Sequence, residues 1–289
     1  MTSLAHWVEG ARPRTLPAAI SPVLVGTGAA FAADGFRPVR ALLALVVALA
    51  LQVGVNYAND YSDGIRGTDE VRVGPLRLVG GGHAAPRAVL RAALASFGIA
   101  ALAGLVLALL TTGWLLLVGV LAIAAAWGYT GGKNPYGYRG LGEISVFVFF
   151  GLVAVMGTTY VQVERITWLA VAGGIASGAL ACAILVTNNV RDIPTDREHD
   201  KLTLAVRLGD ARSRVLYQAL VVVPFVFALA SAPSRPGALL ALLALPLAVA
   251  PLKLIRAGAK GRELIAVLQA TGKLQLAFGV LLGAGLALA

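Results

Sequence analysis

Two apolar runs, residues 41–55 and 168–187, each pass without a break into a cluster of Asn and Asp. After the first come Asn56, Asn59, Asp60 and Asp63, at i, i+3, i+4 and i+7, which is one face of a helix. After the second come Asn188, Asp192 and Asp196, at i, i+4 and i+8. Carboxylates in or beside a membrane helix are costly and turn toward a polar interior or a cavity. Two such helix ends can converge on one hard cation, because oxygen ligands suit magnesium. Magnesium set among arginines is a device for holding phosphate groups.

Composition supports a membrane protein. The chain has 289 residues, 58% of them hydrophobic and only 13% charged, with a mean hydropathy of +0.81. A soluble domain carries about 25% charged residues. The long apolar runs point to helices rather than a barrel. In a soluble chain the net charge of +10 would raise nucleic acid as a partner. Here the placement of loop charges explains most of it, and no nucleic acid is expected. Cys182 is the only cysteine and reads as a packing residue, which excludes disulfides and cysteine-based metal sites within the chain. The N-terminus does not read as a cleaved signal. The first span is expected to direct insertion.

Nine spans are predicted, at about residues 16–33, 39–59, 88–110, 114–129, 143–161, 167–189, 214–231, 236–254 and 264–288, each near the ~20 residues a crossing needs. The chain reads as one domain over residues 1–289. Nineteen of the 24 Lys and Arg residues fall in the N-terminus and the loops after spans two, four, six and eight, together with adjoining helix ends. Four fall in the opposite loops (Arg37, Arg40, Arg165 and Arg235), and Lys273 lies inside span nine, in a polar interior or near a cavity. This asymmetry predicts a cytoplasmic N-terminus, an external C-terminus and both Asp clusters on the cytoplasmic side of the cell membrane. The two acidic loops resemble each other at a separation of about 130 residues, which hints at an internal duplication.

Within the first cluster Asn59 and Asp63 are one turn apart, and Asp69 follows beyond Gly64 and Gly67, which let the chain bend back. Asn56, Asn59, Asp60, Asp63, Asp69, Asn188, Asp192 and Asp196 are the candidate metal and substrate contacts of the two clusters. Unpaired, these carboxylates would repel one another, and a divalent ion resolves the conflict. The alternative pairs them with Arg66, Arg191 and Arg197 in a solvated loop network. Asn beside Asp at both sites favours ligation. Arg66, Arg72, Arg77, Arg191, Lys201 and Arg207 are candidate phosphate contacts. Tyr129 and Lys133 are four apart at a helix end and are expected to face the same cavity. His6, His83 and His199 show no ligand spacing. No phosphate-loop, nucleophile-elbow or His-Glu-x-x-His motif occurs.

These residues carry a resemblance over nearly the whole chain. It resembles the UbiA-type intramembrane aromatic prenyltransferases, whose first signature, Asn-x-x-x-Asp, appears as Asn59 to Asp63 with Asp69 beyond. The second, Asp-x-x-x-Asp, appears as Asp192 to Asp196, and Tyr-x-x-x-Lys as Tyr129 to Lys133. Within that superfamily it is most similar to the branch that prenylates 1,4-dihydroxy-2-naphthoate, through residues 11–17, 56–63, 74–77, 188–192 and 203–209. One departure is His199-Asp200 before Lys201, where that branch often has Ala-Gly or Asn-Gly; it bears on loop flexibility or adds a ligand.

The resemblance implies an all-α, polytopic fold of nine transmembrane helices around a central cavity, with cytoplasmic cap loops. It implies magnesium held by Asn59, Asp63, Asp192 and Asp196, a polyprenyl diphosphate held at the polar mouth with its tail toward lipid, and an aromatic acceptor whose carboxylate Arg12 or Arg14 could hold. Metal and Arg/Lys would stabilise the leaving diphosphate, and a dry cavity would protect the allylic cation. Rival readings keep the fold with another acceptor (4-hydroxybenzoate or homogentisate), or make the chain a cation-coupled secondary transporter. A carrier expects its acids near mid-span. Here they fall at helix ends beside basic loops.

Overall fold

The computed structural model describes residues 2–67 and 76–288. Among these residues there are helices and turns and no β-strand. The helices are α1 (Leu4–Gly10), α2 (Pro17–Phe31), α3 (Pro38–Gly64), α4 (Pro86–Leu110), α5 (Leu115–Gly128), α6 (Gly142–Val163), α7 (Trp168–Glu198), α8 (Leu204–Leu208), α9 (Asp210–Ser231), α10 (Pro236–Arg256) and α11 (Glu263–Leu288). Proline opens α2, α3, α4 and α10. It suits that position because the first-turn N–H it lacks has no helical partner.

Seven of these helices are long and apolar enough to cross a membrane: α3, α4, α6, α7, α9, α10 and α11. The other two expected spans correspond to shorter apolar helices, α2 with 15 residues and α5 with 14. At 1.5 Å per residue those two measure about 20–23 Å, short of a ~30 Å hydrocarbon core. The count of nine therefore rests on seven full-length helices and two short ones. α3 and α7 err in the other direction. With 27 and 31 residues they run to about 40 and 46 Å, so each overshoots the apolar layer by two or three turns. The overshooting turns carry the Asn and Asp clusters.

α7 is the central helix: 72% of its apolar stretch is buried, against 11% for α3. Small residues let its neighbours approach closely. A Cβ at Gly151 of α6 would meet Gly178 of α7, and one at Gly173 would meet Val25 of α2. Residues Phe147–Val153 of α6 form a π-helical turn on this contact, a local widening that recurs at functional sites. α2 and α11 run side by side in the same direction. Ser21 lies against Gly279 and Gly28 against Gly283, and the Ser21 hydroxyl donates to the Gln275 carbonyl at 2.9 Å. At the end remote from the Asp clusters, Arg40 staples three helices by donating to Val161 O (2.9 Å), to Glu164 (2.8 Å) and to the Leu110 carbonyl.

The α2–α11 crossing yields a prediction. A Cβ at Gly28 would collide with the Gly283 backbone, so Gly28→Val must push two helices apart. It is expected to cost about 1–3 kcal/mol, read as a lowered melting temperature in detergent, whereas Gly157→Ala, in open space on α6, should leave it unchanged.

Candidate active site

The projecting end of α3 sorts its four polar residues by task. Asn56 is buried and donates to Ala11 O and to Thr15 Oγ1, both at 2.9 Å. With the Tyr57 hydroxyl on Trp7 O at 2.8 Å, it ties the N-terminal segment across the helix end. Asp60 is fully buried, and its two oxygens accept the backbone N–H groups of Leu78 (2.8 Å) and Val79 (3.0 Å). Both were expected to contact substrate. In the structure Asn56 is engaged by the Ala11 carbonyl and the Thr15 hydroxyl, and both Asp60 oxygens by backbone N–H groups, so the two residues hold chain segments over the site.

Asn59 and Asp63 face the other way. Asn59 accepts from the Thr130 hydroxyl at 2.7 Å. Buried Asp63 accepts from the Tyr138 hydroxyl at 2.8 Å and lies 3.4 Å from the buried Arg77 guanidinium. On α7, Asp192 is gripped by the guanidinium of Arg191 at 2.7 and 2.9 Å. Asp196 lies 3.4 Å from Lys201 Nζ, and its backbone carbonyl accepts the Lys201 N–H at 2.8 Å.

Tyr138, which sequence reasoning missed, joins the two clusters. Its hydroxyl is on Asp63, the Lys201 ammonium sits 5.0 Å from its ring centroid, and the Arg66 guanidinium sits 5.6 Å from it. The path Asp63, Tyr138, Lys201, Asp196 thus spans α3 to α7. Tyr129 lies in the same electrostatic field. Burial first, then the charges of Glu143, Tyr136, Asp63 and Asp196, raise its phenol well above the usual range. It stays a neutral O–H donor at any working pH.

The remaining expectations fare unevenly. Arg66 donates to the carbonyls of Thr130 and Gly132, so it braces the 130–132 turn rather than standing ready for phosphate. Lys133 is exposed while Tyr129 is half-buried. Their four-residue spacing does not put them on one helix face, because α5 ends at Gly128 and Gly132 turns the chain at φ +77°. Arg12 is half-buried at φ 54°, capping the 3₁₀ turn Pro13–Thr15, and Arg14 is exposed on that turn. Asn188 is half-buried; its neighbour Asn189 is the buried one, donating to Glu143 at 2.9 Å. Asp69 and Arg72 lie outside the described residues. Asp200 adopts φ 52°, the left-handed region that Gly occupies freely and Asp tolerates. The Asp therefore keeps the turn that the usual Gly would make.

The donor set at this pole is hard oxygen from Asn59, Asp63, Asp192 and Asp196. No three acidic, His or Cys side chains converge on one point among the described residues. Magnesium fits such a site when it arrives with phosphate, since it is held by one or two carboxylates plus substrate phosphates rather than by an all-protein cage.

Comparison with known proteins decides the family. Residues 19–287 match the UbiA prenyltransferase family. The chain belongs to that family. It is a multi-pass membrane protein and is similar to the 1,4-dihydroxy-2-naphthoate octaprenyltransferase of Mycobacterium tuberculosis, at 56% identity over 99% of this chain and 98% of the relative. It is 42% identical to the Escherichia coli enzyme of the same name, over 74% of this chain and 72% of that one. A UbiA homologue from Archaeoglobus fulgidus, solved with GPP and Mg2+, superposes with a TM-score of 0.72 over 98% of this chain and 100% of its own, at 14% identity. That last likeness is one of fold.

Three substitutions test the scaffold around the site. Asp60→Ala strips two buried backbone N–H groups of a charged acceptor and should destabilise by about 3 kcal/mol or more, visible as a fall in melting temperature with or without ligand. Asp200→Gly should be neutral, and Asp200→Val should cost about 1–2 kcal/mol through the left-handed backbone alone. An equal melting temperature for the Val and Gly variants would contradict the turn assignment.

Proposed function

We propose that this chain transfers a polyprenyl group from an all-trans polyprenyl diphosphate to 1,4-dihydroxy-2-naphthoate with loss of carbon dioxide, giving demethylmenaquinol, the reduced form of demethylmenaquinone, and diphosphate. One observation carries the reading. The Asn/Asp ends of α3 and α7 meet through Tyr138 and Lys201 at one pole of an apolar bundle, in a chain 56% identical to a relative of that named activity. Placement of the acids in the last turns of α3 and α7 disfavours the carrier reading.

Asn59, Asp63, Asp192 and Asp196 would hold magnesium at this pole, which when bound would neutralise charge on the departing diphosphate. The A. fulgidus relative with GPP and Mg2+ supports the metal. Arg77, Arg191 and Lys201, which now neutralise Asp63, Asp192 and Asp196, are then the cations beside the phosphate oxygens. Tyr129 is an uncharged donor within the electrostatic reach of both acid clusters. The apolar bundle beneath keeps water from the allylic cation. In this reading the chain is a single domain over residues 1–289. The acidic pole and N-terminus face the cytoplasm, and the C-terminus lies outside the cell membrane, as the loop charges indicate.

The test is product formation in membranes carrying the protein, with dihydroxynaphthoate, a radiolabelled polyprenyl diphosphate, and magnesium or a chelator. A magnesium-dependent prenylated naphthoquinol is expected, recovered as the quinone after oxidation in air. Label on 4-hydroxybenzoate instead would discard the acceptor and keep the chemistry. Asp63→Ala and Asp192→Ala should each lower turnover by about 100-fold or more while eluting as folded protein in detergent. Full activity in either would remove the metal assignment.

A further inference from the structure

The reaction needs more than a diphosphate pole, because the acceptor carries ring hydroxyls that must lose and regain a proton. One buried acid is unused by the site described above. Glu143 stands in the first turn of α6 and is 7% exposed. A carboxyl at the start of an apolar span is costly, and such groups face a function or a partner. Glu143 has only part of a partner. Its Oε1 accepts from Asn189 Nδ2 at 2.9 Å, and its backbone carbonyl accepts the Cys182 thiol at 3.1 Å. Its Oε2 is shielded from solvent and meets no hydrogen-bond donor. No Lys or Arg forms an ion pair with it among the described residues. The titratable groups around it are Tyr129 and Tyr136 from the preceding loop and Cys182 from α7.

Its location is specific. Asn189, which holds it, lies three residues before Asp192, so about 4.5 Å along α7 toward the apolar interior. Tyr129 stands beside it: a Cβ on adjoining Gly142 would lie 3.3 Å from the Tyr129 hydroxyl oxygen. That hydroxyl makes no hydrogen bond among the described residues, and it lies within the electrostatic reach of Glu143, Tyr136, Asp63 and Asp196. A donor with its diphosphate on the Asp pole and its tail in the bundle places its first carbon at this level. An acceptor ring must meet it there.

We propose that Glu143 is the base that faces the acceptor: its second carboxylate oxygen receives the proton of the ring hydroxyl, and the Tyr129 hydroxyl orients the same group. This rests on the aromatic acceptor proposed above. As the ring carbon bonds to the allylic carbon, the allylic C–O bond breaks and its electron pair leaves with diphosphate. The ring hydroxyl becomes a carbonyl, and its proton passes to Glu143. Loss of carbon dioxide returns an electron pair to the ring, the carbonyl becomes a hydroxyl again, and Glu143 gives the proton back. The carboxylate ends as it began, so no further reagent is needed. The orphaned oxygen gains in the complex the donor it lacks without substrate.

The test uses the full-length protein in membranes with dihydroxynaphthoate, polyprenyl diphosphate and magnesium. Glu143→Gln keeps an oxygen for Asn189 but cannot take a proton. Its kcat should fall by about 100-fold or more, with donor KM within about threefold of wild type and unchanged elution in detergent. Raising the pH ionises the acceptor unaided, so the deficit should shrink by about tenfold between neutral pH and the acceptor's own ionisation; a packing defect would not respond. Glu143→Asp, which keeps a carboxylate, should lie above Glu143→Gln. A Gln variant within about threefold of wild type, or a deficit blind to pH, would overturn the proposal. A wild type that prenylates no hydroxyarene would remove the functional reading and the base together, whereas transfer with a Gln variant that keeps pace removes the base alone.

Discussion

The structure depends on one constraint: carboxylates carried by apolar helices must reach an environment that can bear their charge. α3 and α7 meet it by length. Each extends well beyond a bilayer's apolar thickness, and each keeps its Asp residues in the surplus turns. The surplus is not left in water. It is roofed by the N-terminal segment, residues 76–85 and the 130–142 loop, and every roof element is fastened by one of the polar groups it covers: Asn56, Asp60, Asp63 and Asn59 in turn. Helix length creates the polar pole, and the polar pole assembles its own lid.

Acids of one type therefore serve opposite ends. Asp60 and Asp63 are three residues apart and both buried. Asp60 accepts two backbone N–H groups, a neutral and fixed pairing. Asp63 is matched to a guanidinium and a phenol, both at the ends of movable side chains. Partners that can rotate away suit an acid that must exchange them for a metal and a phosphate. Partners that are main chain suit an acid that must never let go. On α7 the acids of the site, Asp192 and Asp196, likewise answer to side-chain cations, and Asn189 to a buried carboxylate.

The helices were legible because apolar runs and proline starts write their period and limits into the chain, and the Asn/Asp faces located the pole. Side-chain roles within that pole were less legible. Helical periodicity puts Asn56, Asn59, Asp60 and Asp63 on one broad face, but a few tens of degrees of rotation decide which meets backbone and which meets solvent or ligand. The Tyr129 and Lys133 pairing failed because Gly-Gly-Lys-Asn-Pro leaves the helix before the second residue. Tyr138 was invisible because a tyrosine in a Gly-rich loop has no period to betray it. Glu143 was hidden as the first residue of an apolar run, where an acid reads as a boundary. Family resemblance supplied the reaction class, which no spacing alone could have supplied.

The crossing of α2 and α11 has a consequence for biogenesis. The first apolar helix and the last lie side by side, and the hydroxyl of Ser21 meets a carbonyl 254 residues away. The glycines at that seam have no partner until the final helix enters the membrane. A chain emerging N-terminus first must hold its opening helix in lipid, its small-residue face unmatched, while every other element is threaded. Contacts so distant in sequence form late and slowly. Arrival of the 263–288 helix is thus the event that gives the 17–31 helix its partner and joins the two ends of the row of inserted helices.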